Sequence, residues 1–157
     1  RLSPIAEILT QILGFEETGR QPAPDNAGEE AIRFGMDGGG PGKEVQVIVQ
    51  PEERRARLGG GGVHHVAFRI PDEDALHAWD DRLGRFGLRT SGMVDRYYFK
   101  SLYFRISNGI LFELATDGPG FATDESLETL GERLALPPFL EPYRRSIEAG
   151  LRPLELV

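Results

Sequence analysis

Two strand candidates about 48 residues apart carry the side chains most able to do chemistry, His65 and Glu113. They are VHHVAFRIPD (Val63–Asp72) and GILFELATDGPGF (Gly109–Phe121). Successive side chains of a strand take opposite faces. Alternation therefore puts Val66, Phe68 and Ile70 on one apolar face, and His65, Ala67 and Arg69 on the other. In the second strand Ile110, Phe112 and Leu114 form the apolar face, and Glu113 points the other way between Leu111 and Ala115. A histidine and a carboxylate on the non-packing faces of two strands make up two members of a 2-His-1-carboxylate facial triad. That set holds non-haem Fe(II) with positions left open. No histidine precedes His64, so the second imidazole is missing from the pattern.

Each of these residues also has a plainer reading. A lone strand histidine is more often structural than a ligand. Glu113 lies in an apolar strand, where a carboxylate is costly unless paired or metal-bound; a metal, or an arginine such as Arg96 or Arg105, must compensate it. His64 falls on the Val66/Phe68 side, either as a hydrogen-bond donor behind His65 or as a strand-end histidine. In SLYFRI, Leu102, Phe104 and Ile106 form the apolar side, so Ser101, Tyr103 and Arg105 share the face of His65 and Glu113. Tyr103 is then a functional hydroxyl or an ordinary amphipathic residue on a sheet face. His77, on a helix, reads as surface.

The elements that must hold these side chains come in two unequal copies of one unit. Ser3-Pro4 starts a helix, with Ser as N-cap and Pro at the first helical position. Ile5, Ile8, Leu9, Ile12 and Leu13 keep helical spacing until Gly14 closes it. Asp72 after Pro71 starts the second helix, and Leu76, Trp79, Leu83 and Phe86 carry it to Gly87. Three strand candidates follow each helix: Phe15–Arg20, Glu30–Met36 and Glu44–Gln50, then Leu88–Phe99, Ser101–Ile106 and Gly109–Thr116. The second copy has Val63–Ile70 before its helix and reads β-α-β-β-β; the first begins at Arg1 without such a strand. A helix packed on one face of each small sheet leaves the opposite face free to form a concave cup. The last strand of the first copy, VQVIV, has no carboxylate, so only the second copy is equipped for chemistry.

Composition excludes several classes. The chain has 157 residues, about one domain by a prior of roughly 100–200 residues each. It lacks cysteine, which removes disulfides, zinc–thiolate sites and thiol nucleophiles. A net charge of −7 argues against a nucleic-acid partner. No apolar run approaches the length of a membrane span, and Arg1–Phe15 has no signal-peptide core; a cytoplasmic protein is expected. The glycine runs Gly38–Gly40 and Gly59–Gly62 do not match a phosphate loop, because the Lys-Ser/Thr ending is absent. They read as a hairpin turn and a linker.

The β-α-β-β-β repeat, the His65-Val-x-x-x-Ile70-Pro-Asp strand and the Gly109-Ile-Leu-Phe-Glu113 strand resemble the vicinal oxygen chelate superfamily of glyoxalase, bleomycin-resistance and extradiol dioxygenase proteins. More narrowly, VHHVAF, YFKSLYFR, GILFELATDGPGF and LPPFLEPYRR together are similar to the C-terminal half of hydroquinone-type ring-cleaving dioxygenases. The resemblance is weak over Leu2–Pro51 and strong from Val63 to Arg145. It implies an α+β fold of repeated βαβββ modules. A first module over 1–51 lacks its opening strand; a linker over 52–62, a metal-bearing module over 63–121 and a helical, Pro-rich extension over 122–157 follow. It also implies an Fe(II)-dependent dioxygenase, with Mn(II) as the alternative metal. His65 and Glu113 are the metal ligands, and the third protein ligand comes from a segment upstream of Arg1. His64, Tyr103 and Arg96 are the expected catalytic groups around the metal. The implied partners are a small aromatic diol, O2, the missing N-terminal half and further copies of the chain. The competing readings are a glyoxalase-like isomerase or lyase using the same metal cup, and a metal-free binding module of the bleomycin-resistance type.

Overall fold

The computed structural model describes residues 4–24, 28–50 and 57–153. Among these residues, seven strands form two sheets. The first contains β1 (Glu16–Pro22), β2 (Glu30–Gly35) and β3 (Glu44–Ile48) in the order β1-β2-β3. The second contains β4 (His65–Ile70), β5 (Thr90–Asp95), β6 (Lys100–Arg105) and β7 (Leu111–Thr116) in the order β4-β7-β6-β5. β4 runs parallel to β7, and the other pairs are antiparallel. Of the helices, α1 (Pro4–Glu7) opens the described chain, and the crossover helix α2 (Glu73–Arg85) connects β4 to β5. The expected N-cap Ser3 and the first part of the expected linker, residues 52–56, lie outside the described residues.

Helix α2 starts and stops as its residue types dictate. The Asp72 carboxylate accepts a hydrogen bond from the Ala75 N–H at 2.8 Å, satisfying one orphan donor of the first turn. Gly87 follows the helix at φ +75°, a conformation that side chains disfavour. Leu76 and Leu83 are buried, but Phe86 is exposed. Spacing alone assigns Phe86 to the core. It sits instead at the helix C-cap, where its ring lies 5.5 Å from the Arg82 guanidinium.

The first helix differs from its expected form. Only α1 is α-helical, and Ile8–Ile12 form a wider π-helical turn, with Leu13 N–H bonded to Ile8 O at 3.0 Å. That turn keeps Ile8, Leu9, Ile12 and Leu13 all buried. Gly14, at φ +80°, then redirects the chain into β1.

One hydrophobic core joins both sheets. Leu9, Ile12, Phe15, Ile32 and Phe34 meet Leu76, Leu83, Leu102, Phe104, Phe112 and Leu114 in a single cluster. The aromatic rings run through it edge to face: Phe15–Phe68 at 5.7 Å, Phe68–Phe112 at 5.1 Å and Phe104–Phe112 at 5.7 Å. Arg82 adds a polar clasp, donating to Ile12 O and Gln11 O at 2.8 and 3.0 Å. It thereby satisfies carbonyls at the end of the first helix, where intrahelical partners run out.

The other face of the four-stranded sheet is set by register. Across β4, β7 and β6, Ala67 pairs with Glu113 and Glu113 with Tyr103, while His65 pairs with Leu111. Alternation therefore holds on all three strands, and His65, Glu113, Tyr103 and Ser101 share the face turned away from the core. Ile110 departs from its expected apolar role. It precedes β7, next to the turn at Asn108-Gly109, and is exposed.

Candidate metal centre

Glu113 is the central side chain. It is 2% exposed, on the middle of three strands, with alanine across from it on one side and tyrosine on the other. A carboxylate this buried is costly unless its charge and lone pairs are met. Two groups meet it. Ser101, itself fully buried, donates its hydroxyl to Oε1 in a short hydrogen bond. His65 Nε2 stands 2.9 Å from Oε2.

The arginines expected as alternative partners do not reach it. Arg96 donates from Nε to the Tyr103 hydroxyl at 3.2 Å, and Arg105 donates to Gly109 O at 3.0 Å, closing the β6–β7 turn. Arg105 sits at the last residue of β6, two positions beyond the pair with Glu113. Among the described residues, His65 is the single ion-pairing partner of Glu113, so its negative charge faces an imidazole alone.

His65 is held from both sides. Its Nδ1 lies 2.8 Å from Nδ1 of His64, and the rings meet edge to face with centroids 5.1 Å apart. One proton must lie between the two nitrogens. His64 is not behind the sheet, as strict alternation would place it. It precedes the first residue of β4, so the strand's alternation does not bind it, and its exposed ring turns toward its neighbour.

Tyr103 completes the group. Its ring centroid is 6.4 Å from that of His65, and the Arg96 guanidinium lies 5.2 Å from its centre. Because Arg96 only donates, the phenol oxygen accepts and its own proton remains available. The turn beside Arg96 is clamped by the C-terminal segment. Tyr98 O accepts from Gly120 N–H at 2.7 Å, and the Tyr98 hydroxyl donates to Asp124 at 2.9 Å. Phe121 stacks on Tyr98 at 5.3 Å. Desolvation, and then the bond to Asp124, pushes the Tyr98 phenol up to about 12, so it serves as a neutral tether. A cavity of about 580 Å³ opens between this turn and the C-terminal segment, with Tyr97, Asp124, Leu136 and Arg144 in its wall. The segment thus docks on the β5–β6 hairpin.

The donor set fits a divalent metal. Two ligands about 2.1 Å from one ion and at right angles to each other are about 3 Å apart. The Nε2 and Oε2 atoms already have that spacing, and both can bind as neutral imidazole and carboxylate. No group of three or more metal-binding side chains occurs among the described residues. Sequence reasoning locates His65, Glu113, Tyr103 and Arg96 but gives Ser101 no role. The signal for Ser101 is its place on the same face, one strand over and two residues before Tyr103.

A parallel-plus-antiparallel sheet with a crossover helix on one face and a His–Glu pair on the other defines the glyoxalase-type βαβββ class. The family described as "Glyoxalase/Bleomycin resistance protein/Dioxygenase superfamily" matches residues 2–119, and the chain belongs to it. The chain is 49% identical over 152 residues to ring-cleaving dioxygenase MhqA of Bacillus subtilis (strain 168), covering 97% of this chain and 48% of that protein. It is 37% identical to chlorohydroquinone/hydroquinone 1,2-dioxygenase of Sphingobium indicum, covering 69% of this chain and 35% of that protein. The crystal structure of a dioxygenase from Bacillus subtilis superposes with a TM-score of 0.83 at 38% identity, over 97% of this chain and 46% of that one. The chain therefore spans about half the length of the relatives it matches, or less. No helix among the described residues is long and apolar enough to cross a membrane.

Proposed function

We propose that this chain supplies two of three protein ligands of a non-haem Fe(II) dioxygenase that opens the ring of a hydroquinone or catechol-type aromatic with O2. One observation carries the reading: the buried Glu113 carboxylate faces His65 Nε2 at 2.9 Å, and no arginine or lysine among the described residues offsets it. A bound divalent cation would offset that charge, and a metal-free binding module has no use for such a carboxylate. Relatives named as ring-cleaving dioxygenases, one of them for hydroquinones, support the choice of chemistry. The third ligand, a histidine, is proposed to come from a segment outside this chain.

His65 through Nε2 and Glu113 through Oε2 would hold the metal. With Nε2 given to a metal, His65 would carry its one proton on Nδ1 and donate it to Nδ1 of His64, whose own proton would then sit on Nε2, and that bond would fix the imidazole plane. A bound metal would supply a path for electrons between the aromatic ring and O2. Tyr103 donates its hydroxyl proton toward a substrate oxygen, held in place by Arg96 behind it. Arg96 fixes the phenol twice over, through its Nε–H bond and its position over the ring. Val66, Phe68 and Ile70 hold β4 against the core, so the ligand strand is rigid.

The test is metal analysis of the intact protein purified without air, followed by O2 uptake with a hydroquinone. About one iron per site and substrate-dependent uptake with ring opening are expected. Full metal occupancy with isomerase activity and no O2 uptake would favour the glyoxalase-like reading instead.

A further inference from the structure

We propose that Ser101 is a positioning residue that makes Glu113 a one-oxygen ligand, its hydroxyl holding Oε1 so that Oε2 alone is presented beside His65. The inference rests on the metal reading above and deepens it.

Ser101 is fully buried at the second residue of β6, and its hydroxyl donates to Glu113 Oε1. A hydrogen bond to a charged oxygen is among the stronger kinds, and it is directional. The other oxygen faces His65 Nε2. The two carboxylate oxygens thus have different partners, and the plane of the carboxylate is fixed by both. For Glu113 to bind one metal through both oxygens, the bond between these two buried side chains would have to break.

The first sheet supplies an internal control. Its β2 and β3 correspond in register to β6 and β7: Arg33 pairs with Gln46 as Tyr103 pairs with Glu113, and Phe34 with Val45 as Phe104 with Phe112. In that alignment Ala31 stands at the position of Ser101 and Gln46 at that of Glu113. Ala31 is as fully buried as Ser101. So the hydroxyl is present in the sheet that has the carboxylate and absent in the one that has an amide. Burial alone is satisfied by alanine there; a serine needs another reason, and its carboxylate acceptor gives it.

The experiment uses the intact protein and Mn(II), read by chelator competition and by electron paramagnetic resonance. Ser101→Ala removes one oxygen and leaves the residue that the first sheet already buries, so the fold should persist, as a melting curve will verify. Mn(II) binding should weaken about 10–100-fold, the usual cost of losing a group that holds a ligand. The Mn(II) signal should also change as Oε1 becomes free to join the metal. Ser101→Thr keeps the hydroxyl and should return both affinity and signal toward the parent. Unchanged affinity and signal in Ser101→Ala, alongside lost binding in Glu113→Gln, would overturn the positioning role while leaving the metal reading intact. Unchanged binding in Glu113→Gln would overturn the metal reading and this proposal with it.

Discussion

The two sheets of this chain are built on one plan and differ where it matters chemically. Both carry a β-bulge opposite the same position of the central strand, at Thr18-Gly19 in β1 and at Ser91-Gly92 in β5. In both, the hydroxyl of the bulge bonds the backbone of the opposing residue: Thr18 donates to Arg33 O, and Ser91 accepts from Tyr103 N–H. The inward positions are interchangeable hydrophobics, Ile32 for Leu102 and Phe34 for Phe104, all buried. The outward ones are not: Arg33, Gln46 and Ala31 face out where Tyr103, Glu113 and Ser101 do. Strand alternation separates the two sets completely, so one face can keep the fold while the other changes chemistry. The guanidinium of Arg33 lies over Gly19, within 2.9 Å of where a side chain would begin, whereas nothing lies within 4 Å of the same point at Gly92 in the other bulge.

Glu113→Gln gives the four-stranded sheet the amide of the three-stranded one without changing its shape. Metal affinity and ring cleavage should fall together by more than about 100-fold, measured as iron content and turnover of the intact protein. The reverse change, Gln46→Glu, should create no metal site, because among the described residues no strand is paired to the free side of β3 to bring a histidine. A second metal bound by the Gln46→Glu variant would break the comparison.

The shared plan on the inner face is tested by Phe34→Ala and Phe104→Ala. Both rings are about 1% exposed in one core, and each deletion should cost about 3–5 kcal/mol in a single cooperative unfolding transition. If Phe34→Ala melted the first sheet separately, the sheets would be two cores rather than one.

A smaller effect is expected from Tyr103→Phe, which deletes one hydroxyl and keeps the packing. Metal should stay, and turnover should drop on the order of 10–1000-fold. A loss of metal instead would place Tyr103 among the ligands.

Much of this contrast can be read from the sequence, because alternation alone sorts His65, Tyr103 and Glu113 onto one face. What alternation leaves open is which residues lie across from one another. Register is set by bulges and turns, and without it Ser101 cannot be paired with Glu113, nor Arg96 with Tyr103. The expected arginine partner for Glu113 fails for that reason: Arg105 is on the correct face but too far along β6. Ile110 and Phe86 depart from expectation at the ends of their elements, where periodicity no longer constrains a side chain. His64 shows the same limit, one residue outside β4. The π-helical turn at Ile8–Ile12 has the same apolar spacing as an α-helix over so short a length.

The smallest effect concerns the rim of the open face, where Arg69 and Asp117 form an ion pair at 2.5 Å. The hydrogen bond from Arg69, followed by its charge, holds the Asp117 carboxyl below its ordinary value, and the first sheet offers no counterpart on β3. A carboxyl lowered in the folded state contributes stability that is full above its unfolded value and is lost as the pH falls through the folded one. Asp117→Asn should therefore flatten slightly the acid-side fall in melting temperature, below about pH 4. Both groups are exposed, so the change will be small. An acid limb identical in parent and variant would show the pair to be without effect.

The most direct test of the central claim is an anomalous diffraction map, recorded at the iron edge, of the intact protein loaded with Fe(II) without air. The account predicts a peak about 2.0–2.3 Å from both His65 Nε2 and Glu113 Oε2, with Ser101 still bonded to Oε1. A map with iron elsewhere, and no peak between His65 Nε2 and Glu113 Oε2, would contradict it.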